Sequence, residues 1–152
     1  MLDQILELLK GAEPRAPKPE ELQVAVAVLL IEAARMDNDF APAERLAIER
    51  LLTERFQLSA DATRNLMVYA ETRAEESNQL YPFTRLAVER MPYEERVRLI
   101  EMLWEVAYAD GVLDPEEDLL IRRIAGLVYV TDRDRVLARQ RVLARKEQEK
   151  SG

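Results

Sequence analysis

Between Tyr108 and Arg123 the chain reads YADGVLDPEEDLLIRR, with five carboxylates gathered around one glycine and one proline. The stretch RMDNDFAPAERLAIER, 73 residues earlier, has the same layout. In each copy an aspartate, Asp37 or Asp110, closes an apolar helical run, and a glutamate, Glu44 or Glu117, falls in the first turn of the next helix. Carbonyl dipoles at a helix C-terminus disfavour a carboxylate by roughly 0.3 kcal/mol or more, so the two aspartates have no capping role there. Asn38 and Gly111, which follow them, suit the left-handed residue after a helix. Glu32 and Glu105 lie one to two turns earlier, among leucine, isoleucine and alanine, where a carboxylate must be paired, hydrogen-bonded or exposed. Oxygen-only ligands at such a junction suit calcium, magnesium or manganese rather than zinc or copper. The expected cation ligands are Asp37, Glu44, Asp110 and Glu117, with Glu32 and Glu105 as further candidates.

Each candidate has a structural alternative. Glu44 and Glu117 stand where a capping-box glutamate would, and Glu117 follows Asp114 and Pro115 in that pattern. For Asp37 and Asp110 the alternative is an arginine partner, with Arg35, Arg45, Arg122 and Arg123 in reach along the chain. For Glu32 and Glu105 the favoured reading is a buried ion pair or a solvated edge rather than a ligand. The motif is not an EF-hand. DNDFAPAERLAI and DGVLDPEEDLLI both have proline where that loop needs glycine, and isoleucine at the last position.

Composition narrows the chemistry. The chain has 152 residues, which suits one domain with a real core. It has no cysteine and no histidine, which removes disulfides, thiolate sites, imidazole bases and the usual zinc ligands. A carboxylate-bridged metal enzyme is therefore a minor alternative, since no nucleophile or phosphate loop supplies the remaining parts. The net charge of −7 repels phosphate backbones and argues against nucleic acid. The N-terminus has no basic n-region and no long apolar run, and VAVAVLLIEAA is too short to span a bilayer, so a cytoplasmic protein without membrane insertion is expected.

These residues must be positioned by helices. LDQILELLK places Leu2, Ile5, Leu6 and Leu9 on one face, and GAEPRAPKP after it reads as a linker, so residues 1–17 form an appendage. The domain is expected over 18–146, with 147–152 a disordered tail. A first domain helix from Pro19 to about Met36 is apolar nearly all round and should be the central buried one. Further helices are expected from Pro42, after Ser59, from Pro82, from Pro92, after Asp114 and after Thr131, the last fraying beyond Arg145. No segment alternates at period two, so the fold class is all-α, a single domain of about seven to eight helices.

Residues 19–52 lie on 92–125 without gaps, with twelve identities in 34 positions, where chance would give roughly three. They include Leu30/Leu103, Glu32/Glu105, Leu46/Leu119, Ile48/Ile121 and Arg50/Arg123. The expectation is two helical hairpins related by a pseudo-twofold axis, joined by the two helices between them. The apolar identities are expected to serve the core. Trp104 should join it, and Tyr81 and Phe83 read as a hydrophobic staple at a helix start. The basic run RVLARQRVLARKEQEK reads as a solvated face, or as a contact for an acidic partner or a neighbouring molecule.

The runs LLIEAARMDNDFAPAERLAIERLL and LYPFTRLAVERMPYEERVRLIEMLWEVAYADGVLDPEEDLLIRRIAGLVYV resemble the TerB-like (tellurite-resistance protein B) family over about residues 20–140. The resemblance implies an all-helical, internally pseudo-symmetric fold and metal-binding acidic residues, which fall here on Asp37, Glu44, Asp110 and Glu117. It also implies a setting in tellurite-resistance or stress-response systems, and related domains occur beside a J-domain in a co-chaperone. The first copy departs from the second in having Asn38 and Ala41 where the second has Gly111 and Asp114. Two functions follow as expectations. One is a non-enzymatic, cation-binding accessory or sensor domain. The other is a metal-independent interaction module that docks a protein partner at its acidic junctions.

Overall fold

The computed structural model describes residues 18–36 and 40–151. The N-terminal appendage, Asp37 and Asn38 lie outside them. Seven helices run in order: α1 (Glu21–Ala34), α2 (Pro42–Phe56), α3 (Ala60–Glu76), α4 (Tyr81–Arg90), α5 (Tyr93–Ala107), α6 (Pro115–Leu127) and α7 (Asp132–Ser151). There is no strand among the described residues.

The central position of α1 follows from its composition. A helix apolar all round cannot face water on any side, and every residue from Val24 to Ile31 is buried, as are Ala33 and Ala34. The other helices pack around it: α1 touches α2, α3, α4, α5 and α6. Small residues such as Ala25, Ala27 and Ala33 allow this close approach on several sides. The remaining helices are amphipathic and turn one stripe inward. Trp104 on α5 is part of the core at 1% exposure, and the Arg139 guanidinium lies 5.5 Å from its ring centre. Phe83 is buried while Tyr81 is exposed, so of the two aromatics at the start of α4 only Phe83 packs inward.

The helix starts follow the capping chemistry of the sequence. Ser59 accepts from the Ala62 amide at 3.1 Å, Asp114 from the Glu116 amide at 2.8 Å, and Thr131 from the Asp134 amide at 3.1 Å. Gly111 adopts the left-handed conformation at φ 86°. The last helix continues past Arg145 to Ser151, well beyond the expected fraying point.

The hairpins α1–α2 and α5–α6 face each other reciprocally: α1 packs on α5, α2 on α5 and α6 on α1. The correspondence reaches further than the matched sequence. Helix α3 packs on α1 and α2 as α7 packs on α5 and α6, which leaves α4 alone as the connection. The third helices are recognisable by where they pack rather than by shared residues, because each buries a different set: Leu66, Met67, Ala70 and Ala74 in α3, but only Ala138 and Val142 in α7.

One expectation about the core is corrected. Leu46 and Leu119, an identical matched pair, are 65% and 61% exposed. They sit on the outer faces of α2 and α6, which are surface helices with one buried stripe, and that stripe is carried by Ile48 and Ile121 instead.

Candidate functional site

Glu44 and Glu117 are the only buried carboxylates among the described residues, at 1% and 2% exposure. Both occupy the third position of their helix, after a proline at the first. Glu44 Oε1 accepts from the Ala41 amide at 3.3 Å, which is the return half of a capping box. The other half is missing, because Ala41 has no side-chain acceptor. At the second junction Asp114 supplies the cap itself.

The aspartates differ from these glutamates. Asp110 is exposed, and its Oδ1 accepts from the Val112 amide at 3.1 Å, so it braces its own turn. Lys146, Glu147 and Lys150 of α7 line a hollow beside it. Asp37 falls outside the described residues.

Glu32 and Glu105 lie in two equivalent grooves. Glu105 is 12% exposed and engages three cations: Arg145 at 3.0 Å, Arg50 at 3.6 Å and Lys146 at 4.0 Å. One turn before it, Glu101 pairs with Arg145 at 2.8 Å and Arg141 at 3.1 Å. Burial opposes the charge on Arg145, but its hydrogen bonds to Glu101 and Glu105 outweigh this and hold its pKa above the ordinary value. The basic run of α7 thus finds its acidic partner within the same chain. Spacing could have hinted at this: Arg141 and Arg145 are four apart, as are Glu101 and Glu105, so each pair forms a ladder on one helix face.

Among the described residues Glu32 has one ion-pair partner, Arg35, at 3.9 Å. Burial pushes its carboxyl up from the usual range, and Arg35 only partly offsets this. It lines a groove of about 360 Å³. Glu44, Glu117, Glu32 and Glu105 do not converge: no group of three or more acidic side chains placed to hold a metal ion occurs among the described residues.

The family assignment rests on most of the chain. The family model described as tellurite resistance protein TerB matches residues 23–140, which takes in α1 from its third residue, α2 to α6 and the first part of α7. The chain belongs to the TerB family. No curated protein and no solved structure shows a significant match to it. In TerB terms, the matched span contains both junctions and the glutamates Glu32 and Glu105, and excludes the N-terminal appendage and Arg145 of the second groove. No described helix of this TerB domain is long and apolar enough to cross a membrane.

Proposed function

We propose that this TerB-family chain is a non-enzymatic cytoplasmic domain that binds a hard divalent cation at its helix junctions, as an accessory or sensor in tellurite or metal stress. The supporting observation is the burial of Glu44 and Glu117 at matched places, each in the first turn of a helix that follows an aspartate-bearing turn. Calcium, magnesium and manganese take oxygen ligands alone, which carboxylates at a helix junction can supply. Asp37 would complete the first junction with Glu44, and Asp110 the second with Glu117. The Asp110 side chain, now turned to the Val112 amide, would have to rotate inward.

The test is the melting temperature in EDTA and then with each ion at millimolar concentration, for the native chain and for the double variant Asp37→Asn/Asp110→Asn. An ion at 100 times its dissociation constant stabilises by about 2.7 kcal/mol. A rise for the native chain that the variant lacks supports the reading; no rise with any of the three ions refutes it.

A metal-independent interaction module is the second reading, and the matched exposure of Leu46 and Leu119 favours it. Large apolar side chains held at the surface in both copies suit a protein contact. A partner retained in EDTA and lost on Leu46→Ser/Leu119→Ser exchange would support it; a partner indifferent to both leucines would count against it.

A further inference from the structure

The two grooves share their central pair. Glu32 on α1 and Arg123 on α6 line the first, and Glu105 on α5 and Arg50 on α2 line the second, which are identical residues at matched positions. The third helices differ. Helix α7 brings Arg145 and Glu149 to the second groove, where Arg145 bridges Glu101 and Glu105. Helix α3 brings Ala74 and Glu75 to the first, where no described basic residue except Arg35 reaches Glu32.

We propose that the groove over Glu32 receives an arginine or lysine side chain presented by a helix of a partner protein, with an adjoining apolar side chain seated on Val28, Leu80, Phe83 and Leu120.

The second groove is the template within the same molecule. There a helix delivers a guanidinium to the matched glutamate, and that glutamate holds three cations at once. Arg50 therefore coexists with Arg145 and Lys146 on one carboxylate, so Arg123 at the matched rim does not bar an incoming cation. The first groove offers two acids, Glu32 and Glu75, and Glu75 has no ion pair among the described residues. Where the second groove has Glu101, the first has Val28, so its floor is apolar and fits a stem or a neighbouring aliphatic side chain. Burial disfavours the charged form of Glu32, and a cation from outside restores it. The net charge of −7 steers basic partners toward the domain.

A fluorescent peptide with the α7 sequence, residues 132–151, is the probe, because it carries the arginine ladder already fitted to the matched groove. It is titrated onto the full chain at low salt in EDTA. Saturable binding is expected, about tenfold weaker with Glu32→Gln, as loss of one charge-assisted contact implies, and unchanged or tighter with Arg123→Gln. A second variant, Leu80→Arg, places a cation in the groove and should block the peptide. The proposal is overturned if the Leu80→Arg or Glu32→Gln chain, folded by circular dichroism, binds as the native chain does. It is overturned as well if a scrambled peptide binds equally, or if no saturable binding appears. Loss on Arg123→Gln with Glu32→Gln unaffected would instead assign the groove to an anionic ligand.

Discussion

Glu32 and Glu105 hold the same place in two matched helices and each lines a groove, yet among the described residues one meets a single arginine and the other three cations. The difference does not come from the hairpins, which share Glu, Arg and the flanking leucines. It comes from the third helices. Helix α3 is held by apolar burial through Leu66, Met67, Ala70 and Ala74. Helix α7 buries only Ala138 and Val142, and its later turns are fastened by Arg141, Arg145 and Lys146. A single exposed ion pair contributes little. Several that share two partly buried glutamates can hold a helix end that its apolar residues would not. The same scaffold thus carries one helix fastened by packing and one fastened by charge.

Replacing matched core residues tests how alike the two copies are. Leu30→Ala and Leu103→Ala, both fully buried, should each cost about 2–5 kcal/mol in urea unfolding. Costs differing severalfold would mean that the halves are not equivalent in the core. Next in size is the contrast between the grooves. Glu105→Ala should cost about 1 kcal/mol, since it removes a largely buried carboxylate shared by three cations, whereas Glu32→Gln should be neutral or slightly stabilising. A cost for Glu32→Gln equal to that of Glu105→Ala would erase the comparison.

Salt should separate the third helices. At about 1 M salt, where the Debye length is ~3 Å, amide exchange in residues 143–151 should accelerate while α3 stays protected. Equal behaviour of α3 and α7 would show that charge does not fasten α7. A smaller effect is expected from pH. The carboxyl of Glu32 is raised, so its contribution to stability is fully present below the ordinary glutamate range and is lost as pH rises through its raised value. The stability of Glu32→Gln relative to the native chain should therefore increase with pH over that interval, and a flat difference would contradict the burial of Glu32. The smallest effect belongs to Leu46→Ser and Leu119→Ser, each within about 0.5 kcal/mol of native stability because both side chains are exposed.

Much of the fold was legible without coordinates. The continuous apolar run of α1, the prolines and caps at helix starts, and Gly111 after α5 each act through local chemistry, and local chemistry is written in neighbouring residues. The 73-residue match singled out α1–α2 and α5–α6, and these two hairpins pack on one another. The burial of Glu44 and Glu117 and the exposure of Leu46 and Leu119 were not legible, and the pairing of α7 with Glu101 and Glu105 was only hinted at by spacing. Each depends on which element lies against the residue, and residues forty apart meet only when helices pack, as Arg145 and Glu105 do. Sequence alone determined the domain's helices and most of their starts, because these are set by propensity, capping and periodicity within a few turns. Only the tertiary structure decided that Glu105 meets Arg50, Arg145 and Lys146 while Glu32 meets Arg35, because electrostatic environment is a property of distance in space rather than of separation along the chain.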